Sequence, residues 1–241
     1  AESGTFFNED YALPITNELF PESFRNSLLE YWPDADYFSF YIGKRNVEGG
    51  PRSDNTQYSA FRIVTGIKGM LTDNWDYDVS YMVGETESSS TYVNDFFAPR
   101  IRTAVNSDLC AADSDCIPYQ VFTYQGVTPE AAAGLTGVAI RQNLGSTKVF
   151  NAYITGNTGF GLPAGEITMA AGYEWRKVGY DTQSDTIYED GLLLGQGGPR
   201  PSIMGDHSVD EVFIEGNVPL LADLPFVDNL TLDLAYRYSD Y

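Results

Sequence analysis

Period two dominates the C-terminal third of the chain. From residue 230 onward Leu230, Leu232, Leu234, Tyr236 and Tyr238 fall on one face, with Thr231, Asp233, Ala235, Arg237 and Ser239 on the other. Such alternation predicts a β-strand with one apolar and one polar side. The segment before it repeats the pattern, with Val212, Ile214, Gly216 and Val218 opposite Glu211, Phe213, Glu215 and Asn217. Phe213 interrupts its polar row. Further back, Ile167, Met169, Ala171, Tyr173 and Trp175 alternate with polar residues, and so do Trp75, Tyr77, Val79, Tyr81 and Val83. Weaker strands are predicted over Tyr37 to Arg45, Gln57 to Leu71 and Val149 to Asn157, giving about seven. Ala1 to Pro33 shows little periodicity and predicts irregular loop, with a helical turn near Glu22 to Tyr31.

Connections between these strands alternate in length. Short ones are expected at residues 72–74, 159–166 and 219–228, and long ones at 46–56, 85–148 and 181–207. The excursion from Glu85 to Lys148 is longer than compact domains usually insert between strands. Inside it, Thr128-Pro129-Glu130 before three alanines predicts a helix capped by Thr128 with Pro129 at its first position. Apolar-out, polar-in strands with an aromatic end and tight turns opposite long loops are the pattern of a transmembrane barrel wall.

Composition narrows the classes. The chain has 241 residues, a formal net charge of −20 and only 14 Lys plus Arg, so a nucleic-acid interface is disfavoured. There is no apolar run of about 18 residues, which argues against a membrane helix but not against barrel strands. Ala1 to Phe7 lacks the basic start and apolar run of a signal peptide. Cys110 and Cys116 are the only cysteines, and a disulfide closing a small polar loop is favoured over free thiols. With one histidine in the chain, a zinc site built on this pair would be incomplete. Asp113 and Asp115 between them suit solvated acids better than a cation site.

No catalytic constellation emerges. His207 beside Ser208 and Asp210 is a loop residue rather than a triad member, since adjacency does not supply triad geometry. Asp210, Glu211 and Glu215 resemble a glycosidase carboxylate pair only superficially, and Glu211 and Glu215 share a face with Asn217 as a water-lined wall would. Gly156, Gly159 and Gly161 precede no helix, so they read as a β-turn rather than a phosphate loop. Tyr92, Phe96, Phe97, Arg100 and Arg102 combine aromatic faces with guanidinium donors in the long excursion. That mix makes them the candidate ligand-binding residues, against the simpler reading that the two phenylalanines pack the loop. No catalytic residue, metal ligand or cofactor is expected.

The order SVDEVFIEGNVPLL, LPFVDN and LTLDLAYRYSDY resembles the barrel of TonB-dependent outer-membrane receptors. KRNVEGGPR at 44–52, YVNDFFAPRI at 92–101, CIPYQVFTYQGVTPEAAAGL at 116–135 and AAGYEWRK at 170–177 agree, so the resemblance spans nearly the whole chain. It implies an all-β, antiparallel transmembrane β-barrel segment with long extracellular loops, about seven strands of a larger barrel of about 22. Residues 1–241 would belong to one barrel domain, without the plug domain. The implied activity is TonB-energised uptake of a siderophore, cobalamin or oligosaccharide across the outer membrane of a Gram-negative bacterium. Implied partners are the rest of the receptor, TonB, outer-membrane lipid and the nutrient, with no nucleic acid and no enzymatic activity. The competing class is a secreted soluble β-protein, such as a carbohydrate-binding module or hydrolase. An odd strand number leads to one further expectation: an open sheet, in which Tyr37 to Arg45 does not pair with Leu230 to Tyr241.

Overall fold

The computed structural model describes residues 2–4 and 6–241. In chain order it contains β1 (Glu2–Ser3), β2 (Phe6–Pro14), α1 (Glu22–Tyr31), β3 (Tyr37–Arg45), β4 (Arg52–Thr72) and β5 (Trp75–Phe96). Three short helices follow, α2 (Ala98–Ala104), α3 (Ser107–Ala111) and α4 (Pro129–Gly134). Then come β6 (Thr136–Leu162), β7 (Gly165–Ser184), α5 (Thr186–Glu189), β8 (Ile203–Leu224) and β9 (Val227–Asp240). The fold is mostly antiparallel β. One seven-stranded sheet has the order β1-β4-β5-β6-β7-β8-β9, and β2 pairs with β3 in a separate two-stranded sheet.

Helix α1 and the cap of α4 match the expectation. Thr128 Oγ1 accepts the Ala131 N–H at 3.2 Å, and Pro129 sits where a missing N–H costs nothing. Other boundaries differ. β5 runs on to Phe96 and β6 begins at Thr136, so the excursion expected over 85–148 shrinks to 97–135. The Ser/Thr run at 88–91 and residues 136–148 carry polar groups on both faces, so they pair as strand without any hydropathy period to betray it. The second excursion likewise shrinks from 181–207 to 185–202. Ala1 to Pro33 is not simply irregular, because β2 lies there and pairs with β3 from Pro14↔Tyr37 to Phe6↔Arg45. Tyr37 to Arg45 is therefore not a strand of the large sheet, as the strand count had it. β9 pairs with β8, and no pairing with β3 exists among the described residues.

The chain divides into two compact units. The first comprises Ala1–Gln57, Ser88–Gln142 and Thr182–Ile203. Its main core gathers Leu13, Phe20, Phe96, Ile101, Val105 and Tyr119, with Phe24, Phe40 and Phe122 packed against it. Phe20 meets Phe24, Phe40 and Phe122 edge-on at 5.6, 5.4 and 4.9 Å between centroids. Asn17, fully buried, ties the N-terminal segment to the helices: its Nδ2 donates to Val105 O at 2.8 Å, and its Oδ1 accepts the Ser107 N–H at 3.2 Å. A smaller core joins Ala139, Tyr188 and Leu193, with Tyr92, Phe97 and Ile187 against it.

The second unit comprises Tyr58–Glu87, Asn143–Asp181 and Met204–Tyr241, and is built differently. Both buried clusters belong to the first unit. Close approaches fix which residues share a face here. A Cβ on Gly69 would meet the Tyr77 ring at 3.2 Å, and one on Gly156 would meet the Trp75 ring at 2.9 Å. The rings of Phe150 and Tyr173 lie 6.2 Å apart, the Tyr173 hydroxyl donates to Asp210, and Val212 pairs with Tyr238. By strict alternation, one face therefore carries Phe61, Ile63 and Ile67 of β4, the Trp75 row of β5, and Phe150 and Ile154 of β6. It continues with the Ile167 row of β7, Val212, Ile214 and Val218 of β8, and the Leu230 row of β9. A register shift between Pro219 and Leu221 then brings Leu221 opposite Leu230, keeping both on that face.

The opposite face is polar. Glu211 accepts from Ser239 Oγ at 2.6 Å and from Arg237 Nη1 at 3.4 Å, and Asn217 Nδ2 donates to Asp233 at 2.6 Å. Phe213, the residue out of pattern, sits here for a local reason. Its ring fills the space above Gly172, whose Cβ position would lie 2.6 Å from Phe213 Cζ, and the Arg237 guanidinium stands 5.3 Å from the ring centroid. An aromatic covering a strand glycine and carrying a cation is compatible with a wet face.

Candidate functional site

The five sequence-selected residues lie where β5 runs into α2, and the structure spreads them over different environments. Phe96 is fully buried in the main core of the first unit. Tyr92 and Phe97 pack on the smaller core, with the rings of Tyr92 and Tyr188 6.3 Å apart. Arg100 is exposed, but its Nη1 donates to Gly134 O at 3.2 Å and Thr136 O at 2.9 Å, and its guanidinium lies 5.4 Å from the Phe97 centroid. Arg102 is exposed on α2. The segment between Tyr92 and Arg102 is a packed junction, and Arg100 lines a cavity.

The backbone explains the packing. Phe97 N–H donates to Leu135 O and Ala98 N–H to Leu192 O, both at 2.9 Å, while Leu194 N–H donates to Phe96 O at 3.0 Å. Residues 96–98 are thus held on one side by the end of α4 and on the other by the 185–202 connection. Asp95 secures the second contact. Its carboxylate is wholly buried and accepts the N–H of Phe96 at 3.0 Å and of Gly195 at 2.8 Å, with Arg52 Nη1 at 3.9 Å. Burial raises the Asp95 pKa, opposed by the Gly195 N–H, the Arg52 charge and the Phe96 N–H. Tyr92 shares the cluster: burial first, then the Asp95 charge, push its hydroxyl up to about 12. This lock was not among the sequence candidates, and a lone acid beside two aromatics gives little sign of it.

Arg100 faces a cavity of about 410 Å³ within the same unit. One wall is α2, with Thr103 and Ala104; another is α4 and the residue that follows it, with Ala131 and Leu135; the third is the loop carrying Asp113, Asp115 and Cys116. Cys110 and Cys116 are disulfide-bonded, as expected, with Cα atoms 5.3 Å apart. The ring they close is ordered by contacts just before it and inside it. Asn106 caps α3 by accepting the N–H groups of Asp108 and Leu109, Asp113 N–H donates to Cys110 O at 3.1 Å, and Asp113 Oδ1 accepts the Asp115 N–H at 3.0 Å. Asp113 and Asp115, both exposed, thus reach the cavity from within the small ring. The size falls in the range of small-molecule sites, and the lining combines aliphatic surface with charges of both signs.

Replacing both cysteines by serine is expected to have a local effect. Closing a ring with a sequence separation of 6 restricts the unfolded chain by about 2 kcal/mol. Hydrogen–deuterium exchange should speed up over residues 107–118 and stay unchanged in β6 and β7; lost protection in those strands would assign the bond a global role.

Comparison with protein-family models, curated proteins and solved structures returns no match to this chain.

Proposed function

We propose that the chain is a segment of the barrel of a TonB-dependent outer-membrane receptor, contributing lumen wall and extracellular loops to uptake of a scarce nutrient. One observation carries this reading: the second unit presents a continuous apolar face with no core packed on it. Ile63, Ile67, Leu234 and Tyr236 are 60%, 67%, 58% and 65% exposed. Each such side chain left in water forgoes about 1.5–3 kcal/mol, and contiguous apolar patches on soluble monomers rarely exceed a few hundred Å². Lipid on this face removes the cost. Aliphatics sit between aromatic ends, with Phe226 at the short turn and Tyr236 and Tyr238 at the far end of β9, as interfacial girdles require. The ion-paired face suits a water-filled interior.

The two free edges follow the same logic. A strand edge in lipid leaves backbone groups unsatisfied, at several kcal/mol each, so further strands of the receptor complete the sheet beside β9 and beside the length of β4 that its short pairing with β1 leaves uncovered. Energy would come from TonB through the receptor's plug. The packed first unit, with its cavity, supplies the ligand-facing part.

The test uses the three tryptophans, kept one at a time, in vesicles of lipid brominated on the acyl chains. Trp75 and Trp175 on the apolar face should be quenched, and Trp32 in the first unit should not. Equal fluorescence in brominated and ordinary lipid, with extraction needing no detergent, would return the chain to the secreted soluble class.

A further inference from the structure

We propose that the cavity between α2, α4 and the disulfide ring binds a small zwitterion of the amino-acid or short-peptide class. The ligand's carboxylate would lie on Arg100, its ammonium on Asp113 and Asp115, and its aliphatic part on Ala104, Ala131 and Leu135. The inference deepens the receptor reading by naming the nutrient class, and rests on that reading for the purpose of binding, not for the binding itself.

Three features of the cavity lead there. First, the charges are of both signs and come from separate walls, Arg100 from α2 and the two aspartates from the ring. A purely anionic ligand would meet two carboxylates, and a purely cationic one would meet the guanidinium. Second, these groups are pre-organised. Two backbone carbonyls and the Phe97 ring fix the Arg100 guanidinium, while the Asp115 N–H holds the Asp113 carboxylate inside the disulfide ring. Charged hydrogen bonds made by groups already in place lose little ordering entropy. Third, no aromatic side chain lines the cavity, so the stacking surface that sugar rings and flat chelates favour is missing, while alanine, leucine and isoleucine are present. A volume of about 410 Å³ accommodates a dipeptide or a single large amino acid.

The disulfide acquires a role in this arrangement. Asp113 and Asp115 lie inside the ring it closes, so reduction should loosen both carboxylates without touching Arg100. Binding would then fall mainly through the ammonium half of the site.

The experiment is calorimetric titration of the full chain in detergent micelles with alanyl-leucine, its N-acetyl derivative and its C-terminal amide. Maltohexaose and calcium chloride serve as the other probes. Alanyl-leucine should bind, and either blocked form should bind at least tenfold more weakly. In the Asp113→Asn, Asp115→Asn double variant the N-acetyl penalty should vanish while the amide penalty remains. That crossing separates a site from a folding defect, because a misfolded loop would lose both penalties together. No binding of alanyl-leucine, equal binding of blocked and free forms, or binding only of calcium or maltohexaose would overturn the proposal. None of these results depends on lipid contact, so the bromolipid test can succeed or fail separately.

Discussion

Leu232→Arg should strongly destabilise the chain in lipid vesicles, and Thr231→Arg, one residue away, should not. Leu232 stands in the apolar row of β9 and pairs with Val218; Thr231 belongs to the polar face and pairs with Pro219. An arginine on the lipid side near the bilayer midplane costs about 2–4 kcal/mol, because its charge loses water and finds no partner. That lowers the folded-to-unfolded ratio by about 30- to 700-fold. On the polar face the same residue keeps its hydration and has Asp233 and Glu215 on the same side of the sheet. The ratio is read from urea titrations of tryptophan emission in vesicles. A soluble protein gives the opposite result: Leu232 is already 43% exposed, so an arginine there would be harmless or would help solubility. Equal tolerance of both substitutions would remove lipid from the account.

Much of the sheet was legible because a face that meets a different solvent from its opposite must alternate, and hydropathy reads alternation directly. The Leu230, Ile167 and Trp75 rows each survive intact on one face of the second unit. Legibility fails where both faces meet similar surroundings. Residues 88–96 and 136–148 are strand, yet their Ser, Thr and Asn leave no period, so two long strands were cut short. β2 was hidden for a related reason: among its described side chains Tyr11 and Leu13, both buried, alternate with the exposed Asp10 and Ala12, too brief a run to stand out. The candidate site was the least legible part. Aromatics beside arginines suggest a binding loop in one dimension, but Phe96 is committed to a core by Phe20 and Tyr119 lying far away in sequence. Asp95 gains its importance from Gly195 and Arg52, separated from it by 100 and 43 positions, and no local pattern encodes such a meeting.

Gly195→Ala should therefore release the 185–202 connection from the end of β5. The glycine is needed for space rather than for its backbone angle. A Cβ there would sit 1.9 Å from Arg52 Nη1 and 2.6 Å from Asp95 Oδ2, distances no side chain tolerates. Relief requires either the arginine to swing away or the Gly195 N–H to leave the carboxylate. Moving the arginine removes the positive charge from a buried acid; moving the backbone breaks a 2.8 Å charged hydrogen bond. Either route costs about 3 kcal/mol, which is enough to undock a short connection without unfolding the sheet. Amide exchange at 192–196 should accelerate roughly a hundredfold, since each 1.4 kcal/mol of opening free energy is a factor of ten. Exchange in β8 and β9 should be unchanged. Arg52→Ala in the same background should recover little, because the Asp95 oxygens stay 2.6 and 2.8 Å from the new Cβ and the acid then lacks its cation. Full protection of the 192–196 amides in Gly195→Ala would show that the lock between Asp95 and the connection is not what holds it.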